Sequence, residues 1–127
     1  MKSFFVKAFS ILLLLGFSNT LLADSRVEHV WTCTVNDGKT IKEIKALNNE
    51  WVAYVNKSVK GGDVQSYVAT AIVGKTGHFI FIDSFPNMTA WAAKEEAMKT
   101  KTGKKLEASF NKLGNCSSSA LYSVESS

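Results

Sequence analysis

The spacing of apolar residues predicts a strand followed by a helix in the first half of the chain. Residues 27–35 are rich in β-branched and aromatic side chains and end at the turn sequence 36–38, which is typical of a strand. Thr40 and Glu43 then have the spacing of a capping box, which marks the start of a helix. Apolar residues recur every three or four positions from Ile41 to about Val59, so we predict an amphipathic helix there.

The second half predicts two strands, a further helical region and a last strand. Residues 64–73 and 78–83 are apolar runs on either side of the turn 74–77, and this pattern favours a hairpin. Asn87 can cap a helical region, which we expect to be interrupted at 102–103 and to end at Gly114. Serine-rich flanks surround a final strand over about 119–124.

The order strand, helix, strand, strand, helix, strand predicts an α+β fold. Two strand–helix–strand units with right-handed crossovers give a ferredoxin-like βαββαβ sandwich, with strand order 4-1-3-2 and the helices on one face. The third strand is apolar on both faces, because Phe79 and Phe81 alternate with Ile80 and Ile82. A bare apolar sheet face favours association, so we predict a homodimer that packs sheet against sheet.

The first 23 residues have the three regions of a secretory signal peptide: basic Lys2 and Lys7, an apolar core of about ten residues, and a small residue, Ala23, at the cleavage point. The core is too short to cross a bilayer. We therefore expect a single domain over 24–127, exported to the periplasm or the extracellular medium, with no stable membrane insertion. In such an oxidising compartment Cys33 and Cys116 are expected to form a disulfide.

Charge and composition narrow the function without identifying it. The whole chain carries +4, but removal of the predicted signal peptide leaves about +2, and no concentrated basic face predicts a nucleic-acid partner. The lysines of the second helical region, including Lys94, alternate with glutamates and are typical of a solvated face. The sequence has no phosphate loop, dinucleotide fingerprint, zinc quartet or serine nucleophile elbow, which disfavours nucleotide-driven and classical hydrolytic functions.

The segment 78–91, an apolar strand running into a helix with an early Trp91, together with the element order from 27 to 124, resembles the dimeric α/β-barrel superfamily. This group includes the antibiotic-biosynthesis-monooxygenase-like and stress-responsive barrel proteins. The resemblance implies either a haem-degrading enzyme, whose iron is bound by a histidine of the second helix, or a cofactor-free oxygenase. Residues 88–113 contain no histidine, so the haem-degrading alternative lacks its iron ligand. We predict no cofactor and no metal for this chain.

Aromatic side chains are the candidate ligand-binding residues. A pocket between sheet and helices would be lined by a common set of large aromatic side chains: Trp31, Trp51, Tyr54, Tyr67, Phe79, Phe81, Trp91 and Tyr122. The same residues equally suit a filled hydrophobic core.

Three residues are candidate catalytic groups. His29 and His78 begin strands that we expect to be parallel neighbours, which would place both at one end of the sheet. We favour a pair of surface histidines there; the alternative is a weak metal or acid/base site formed with Asp24 or Glu28. Asp83 follows four apolar residues, so it is either a partly buried base with a raised pKa or a cap for the next helix.

Three functions are consistent with these patterns. The first is an exported, dimeric protein that binds a small apolar or aromatic molecule between sheet and helices without catalysis. The second is a cofactor-independent, monooxygenase-like enzyme that uses the same cavity. The third is a structural or protein-interaction module that uses the outer sheet face.

Overall fold

A computed structural model describes residues 25–127 of the chain. The predicted signal peptide lies outside these residues. Seven elements follow one another along the chain: β1 Arg26–Val35, α1 Ile41–Ser58, β2 Gln65–Thr70, β3 His78–Phe85, α2 Met88–Met98, α3 Lys101–Leu113 and β4 Gly114–Val124. The predicted element order is confirmed, with the second helical region divided into two helices. Within 25–127, no helix combines the length and apolar character needed to cross a membrane.

The four strands form one antiparallel sheet in the order β2-β3-β1-β4. This arrangement confirms the ferredoxin-like prediction. It also corrects one expectation: β1 and β3 are antiparallel, so His29 and His78 lie at opposite ends of the sheet. In the register of this pair, Thr34 lies opposite His78 and Asp83 lies opposite His29. The partner of His29 across the strands is therefore a carboxylic acid.

Each helix begins at a side-chain cap. The predicted capping box of Thr40 and Glu43 is present at α1, and Asn87 Oδ1 accepts the Ala90 N–H at 2.9 Å to start α2. Because Asn87 fills this role, the interpretation of Asp83 as a helix cap is wrong. Thr100 caps α3.

The break between α2 and α3 occurs earlier than predicted, at residues 99–100 rather than at 102–103. Gly103 is buried inside the first turn of α3. A Cβ at this position would lie only 2.6 Å or less from the backbone of Ala97 and Met98. Gly103 therefore permits the close approach of α3 to the end of α2 instead of ending a helix.

The helices cover one sheet face, the inner face, and this is where the core lies. Its buried residues form two clusters. The larger cluster consists of Val27, Trp51, Val55, Val59, Val64, Phe85 and Ala90. The smaller cluster consists of Cys33, Ile44, Phe79 and Phe81. The predicted disulfide between Cys33 and Cys116 joins β1 to β4. The last strand begins at Gly114, earlier than predicted, because the residues around Cys116 already pair with β1.

The opposite, outer face of the sheet carries Val30, Ile80, Ile82, Tyr67 and Tyr122. Within the single chain Val30, Ile80 and Ile82 are half-buried, whereas Tyr67 and Tyr122 are 53% and 52% exposed. The two tyrosines were predicted to line a pocket under the helices, and this is wrong. Successive strand residues point to opposite faces, and Tyr67 pairs with Ile82 while Tyr122 pairs with the outward-facing Glu28.

Candidate functional site

A cavity of about 400 Å³ lies between the inner face of the sheet and the three helices. Its size is within the range of ~300–1,000 Å³ that is usual for small-molecule sites. The apolar part of its wall comes from aromatic and long aliphatic side chains, namely Trp31, Trp51, Phe81, Met98 and Phe110. The polar part is formed by Asn48, Asp83, Lys94, Glu95, Lys99, Lys104, Glu107 and Asn111, and Cys116 of the disulfide completes the lining. We call this space the sheet–helix cavity.

Asp83 contributes a buried carboxyl group to this wall. It extends from the inner face of β3 and is only 7% exposed. The Ser66 hydroxyl donates a hydrogen bond to Asp83 Oδ1 at 2.6 Å, and the Asn48 amide donates in turn to Ser66 Oγ at 2.9 Å. Residues from β3, β2 and α1 therefore hold the carboxyl group in one orientation.

Burial raises the pKa of Asp83 from 3.8 to about 6. The Ser66 hydrogen bond, the nearby Lys94 charge and the Trp31 indole oppose this rise, because each favours the ionised form. A carboxyl group with a pKa near 6 is mainly ionised at pH 7, yet it is basic enough to take up a proton. Asp83 can therefore act as a general base or acid near neutral pH.

His29 lies across the strand pair from Asp83 on the same face. Its ring centroid is 4.3 Å from that of Trp31, and the Trp91 indole N–H approaches its Nδ1 to 3.5 Å. Burial, followed by the charge of Lys94, lowers the pKa of His29. The ring is therefore neutral at pH 7, and with Nδ1 as the acceptor its proton resides on Nε2.

Lys94 is the residue that the sequence pattern misplaced most clearly. It was assigned to a solvated lysine face, but it is only 5% exposed. Its ammonium contacts the Glu95 carboxylate and lies 5.5 Å from the centroid of the Phe85 ring and 5.7 Å from that of Trp91. The buried positions of α2 are Ala90, Lys94 and Ala97, spaced by four and three residues, so Lys94 belongs to the helix face that packs on the sheet.

Only some of the residues predicted to bind a ligand line the cavity. Trp31, Trp51 and Phe81 line the cavity, and Trp91 lies behind it against His29. Phe79 is buried beside it and lines a small crevice of about 30 Å³.

Tyr54 stands outside the cavity lining, where its hydroxyl donates to the Ala97 carbonyl at 2.8 Å and lies 2.6 Å from Thr100 Oγ1. It therefore fixes α1 to the junction of α2 and α3. Of the candidate catalytic residues, the structure brings together Asp83 and His29 and leaves His78 at the far end of the sheet.

The polar residues Asn48, Ser66 and Lys94 were not predicted for the site. Asn48 occupies a buried position of α1 between the apolar residues Ile44 and Trp51, and this spacing is the signal in the sequence that identifies it. Among residues 25–127, no three His, Cys, Asp or Glu side chains are grouped so that they could hold a metal ion.

Neither a protein-family model nor a curated protein sequence matches this chain. Solved structures do share its fold. SnoaB from Streptomyces nogalater, described as a cofactor-independent oxygenase, superposes with a TM-score of 0.61 over 81% of this chain and 96% of its own, at 14% sequence identity. A NIPSNAP domain protein from Burkholderia xenovorans gives 0.54 over 80% of this chain and 94% of its own, at 10% identity.

A Bacteroides thetaiotaomicron protein of unknown function, described as a possible oxidoreductase, gives a TM-score of 0.53 over 80% of this chain and 100% of its own, at 14% identity. At identities this low, the superpositions show that these proteins share the ferredoxin-like fold, which is the fold predicted from the sequence.

Proposed function

We propose that this protein binds a small, largely apolar or aromatic molecule in the sheet–helix cavity. The observation that carries the proposal is a cavity of about 400 Å³ whose aromatic wall contains one buried carboxyl group, that of Asp83. Such sites combine apolar walls with a few fixed polar groups that orient the ligand. The signal-peptide pattern of residues 1–23 supports the further proposal that the protein acts after export.

Calorimetric titration with 7-methoxycoumarin, a planar and uncharged bicyclic probe, tests this proposal. Met98 lines the cavity, so Met98→Trp fills part of it and is expected to weaken binding at least tenfold. Met88 lies on the same helix but is 51% exposed and is absent from the cavity wall, so Met88→Trp is the matched control and should bind like the unaltered protein. Equal binding by the two variants would refute the cavity as the site.

A second candidate function is catalysis by proton abstraction, as in a cofactor-independent oxygenase. The specific observation is Asp83, whose carboxyl group titrates near neutral pH in the cavity wall. In this scheme Asp83 takes a proton from the bound molecule, and the electron-rich anion that remains reacts with dioxygen. The fold shared with SnoaB supports this candidate.

Oxygen consumption with a panel of hydroxylated naphthalenes tests the catalytic candidate. General-base catalysis typically contributes ~10²–10⁴-fold, so Asp83→Asn is expected to lower the rate at least about a hundredfold. The control is Asp37→Asn in the exposed turn after β1, which should retain the full rate. An Asp83→Asn variant with unchanged oxygen uptake would exclude Asp83 as the base.

We also propose that the protein is a homodimer joined through the outer sheet face. Apolar side chains of three neighbouring strands, including Val30, Ile80 and Ile82, form this face, and none of the described helices covers it. Light scattering should give twice the monomer mass, and Ile82→Glu should give a monomer. Ile72→Glu, in the exposed loop between β2 and β3, is the matched control and should remain dimeric.

A further inference from the structure

Lys94 places a buried cation in the wall of the cavity, and the binding proposal alone does not explain it. Its side chain is 6% exposed, whereas that of its ion-pair partner Glu95 is 42% exposed. An ammonium has three N–H donors, and within residues 25–127 its hydrogen bond to a protein group is the one to Glu95. The rings of Phe85 and Trp91 lie near the same nitrogen. Lys94 therefore has donors to offer a molecule in the cavity.

Asp83 provides the complementary acceptor. Both residues line the cavity, and Lys94 lies close enough to favour the ionised form of Asp83. Among the ion pairs of residues 25–127, however, Lys94 pairs with Glu95 and not with Asp83. Lys94 can donate a hydrogen bond and Asp83 can accept one, and both line the cavity without pairing with each other. A ligand hydroxyl group suits this arrangement, because it accepts one hydrogen bond and donates another. An ether or a ketone oxygen could accept a hydrogen bond from Lys94 but has no hydrogen to donate to Asp83, whose Oδ1 already accepts the Ser66 hydroxyl.

We propose that Lys94 is the oxyanion-binding residue of the cavity and that the ligand is an aromatic molecule with an ionisable hydroxyl, a phenol or an enol. This inference rests on the proposed function, since it requires a ligand in the sheet–helix cavity. The O–H bond of the ligand breaks, its proton passes to a carboxylate oxygen of Asp83, and the electron pair stays on the ligand oxygen. Lys94 stabilises the oxyanion that results, and no redox step is involved.

The ionisation of a bound chromophore measures this role directly. The neutral and anionic forms of 7-hydroxycoumarin have different absorption spectra, so a pH titration of the bound probe gives its pKa in the cavity. An opposite charge at close range shifts a pKa by roughly one to three units, so Lys94→Met should raise the pKa of the bound probe by at least about one unit. Lys94→Arg keeps the positive charge and should restore most of the original value.

A charge-matched control separates local from overall electrostatics. Lys101 is exposed at the start of α3 and is not part of the cavity wall, so Lys101→Met removes the same charge and should leave the pKa of the bound probe unchanged. The other ionisable groups around the cavity are the same in all variants, so their effect on the pKa of the probe cancels in the comparison. These groups are His29 on β1, Asp83 on β3, Glu95 on α2, Lys99 after α2, and Lys104 and Glu107 on α3. If Lys94→Met does not fold, Lys94→Gln replaces it, because its amide retains polarity without charge.

The non-ionisable probe 7-methoxycoumarin distinguishes the two possible failures. If it binds, and the pKa of bound 7-hydroxycoumarin is the same in the unaltered protein and in Lys94→Met, the role of Lys94 is refuted while the cavity remains a binding site. If neither coumarin binds the unaltered protein, the proposed function is refuted and this inference with it.

Discussion

Replacing Asp83 by Asn should stabilise the protein at neutral pH. The folded state raises the pKa of Asp83 from 3.8 to about 6, chiefly because the carboxyl group is buried. Between about pH 4 and pH 6 the folded state therefore binds more protons at this site than the unfolded state, and the free energy of unfolding decreases as the pH rises. Each pKa unit corresponds to about 1.4 kcal/mol, so ionisation of Asp83 lowers stability by up to about 3 kcal/mol above this range. Asparagine is neutral at every pH, and its carbonyl can accept the Ser66 hydrogen bond that Asp83 accepts now.

Denaturant unfolding between pH 3.5 and pH 8, followed by tryptophan fluorescence, tests this reasoning. The unaltered protein and Asp83→Asn should be about equally stable at pH 3.5, diverge from pH 4 to 6, and differ by about 1–3 kcal/mol in favour of the variant above pH 7. His29 makes the opposite contribution, since its lowered pKa reduces stability as the pH falls, but it is present in both proteins. A stability difference that does not vary with pH, or that favours the unaltered protein more strongly at higher pH, would refute the assigned pKa.

Three further predictions follow from the fold and the site. Replacing Cys33 and Cys116 together by Ala removes a crosslink that spans 83 residues, and the chain-entropy model predicts a loss of about 4–5 kcal/mol, measurable by urea unfolding; an unchanged midpoint would contradict it. Gly103→Ala forces a Cβ against the backbone of the preceding residues, so thermal unfolding should show a loss of about 1–3 kcal/mol, and a more stable variant would contradict the close approach. An NMR titration of His29 should give a pKa below the ordinary histidine value of 6.5, because burial lowers it; a pKa at or above 6.5 would contradict this.

The strand faces and the order of elements were predictable because they depend on local patterns. Alternation in a strand over 27–35 puts His29, Trp31 and Cys33 on one face, as the structure has them. The disulfide between Cys33 and Cys116 was predicted from the expected oxidising compartment, and the structure contains it. Whether two neighbouring strands run parallel or antiparallel depends on how the chain connects them, and a local pattern does not show it. We predicted β1 and β3 as parallel, whereas they are antiparallel, so the prediction that His78 lies beside His29 was wrong.

The polar part of the site was less predictable, because burial depends on tertiary packing. Lys94 follows two alanines and precedes two glutamates, and a local charge pattern of this kind is usually solvated. Lys94 is nevertheless buried, because α2 packs on the sheet at this position and the rings of Phe85 and Trp91 lie near the ammonium. Gly103 shows the same limit, since a glycine that ends a helix and one that admits a neighbouring backbone look alike in the sequence.

The position of the disulfide has a practical consequence for any ligand assay. Cys116 is solvent-exposed on β4 and also borders the cavity, whereas its partner Cys33 is fully buried. Thiol reagents in a purification buffer can reduce this disulfide, which would remove the covalent crosslink between β1 and β4 beside the cavity while the two strands remain paired. Samples prepared with dithiothreitol and without it should therefore be compared before any affinity is assigned to the native protein.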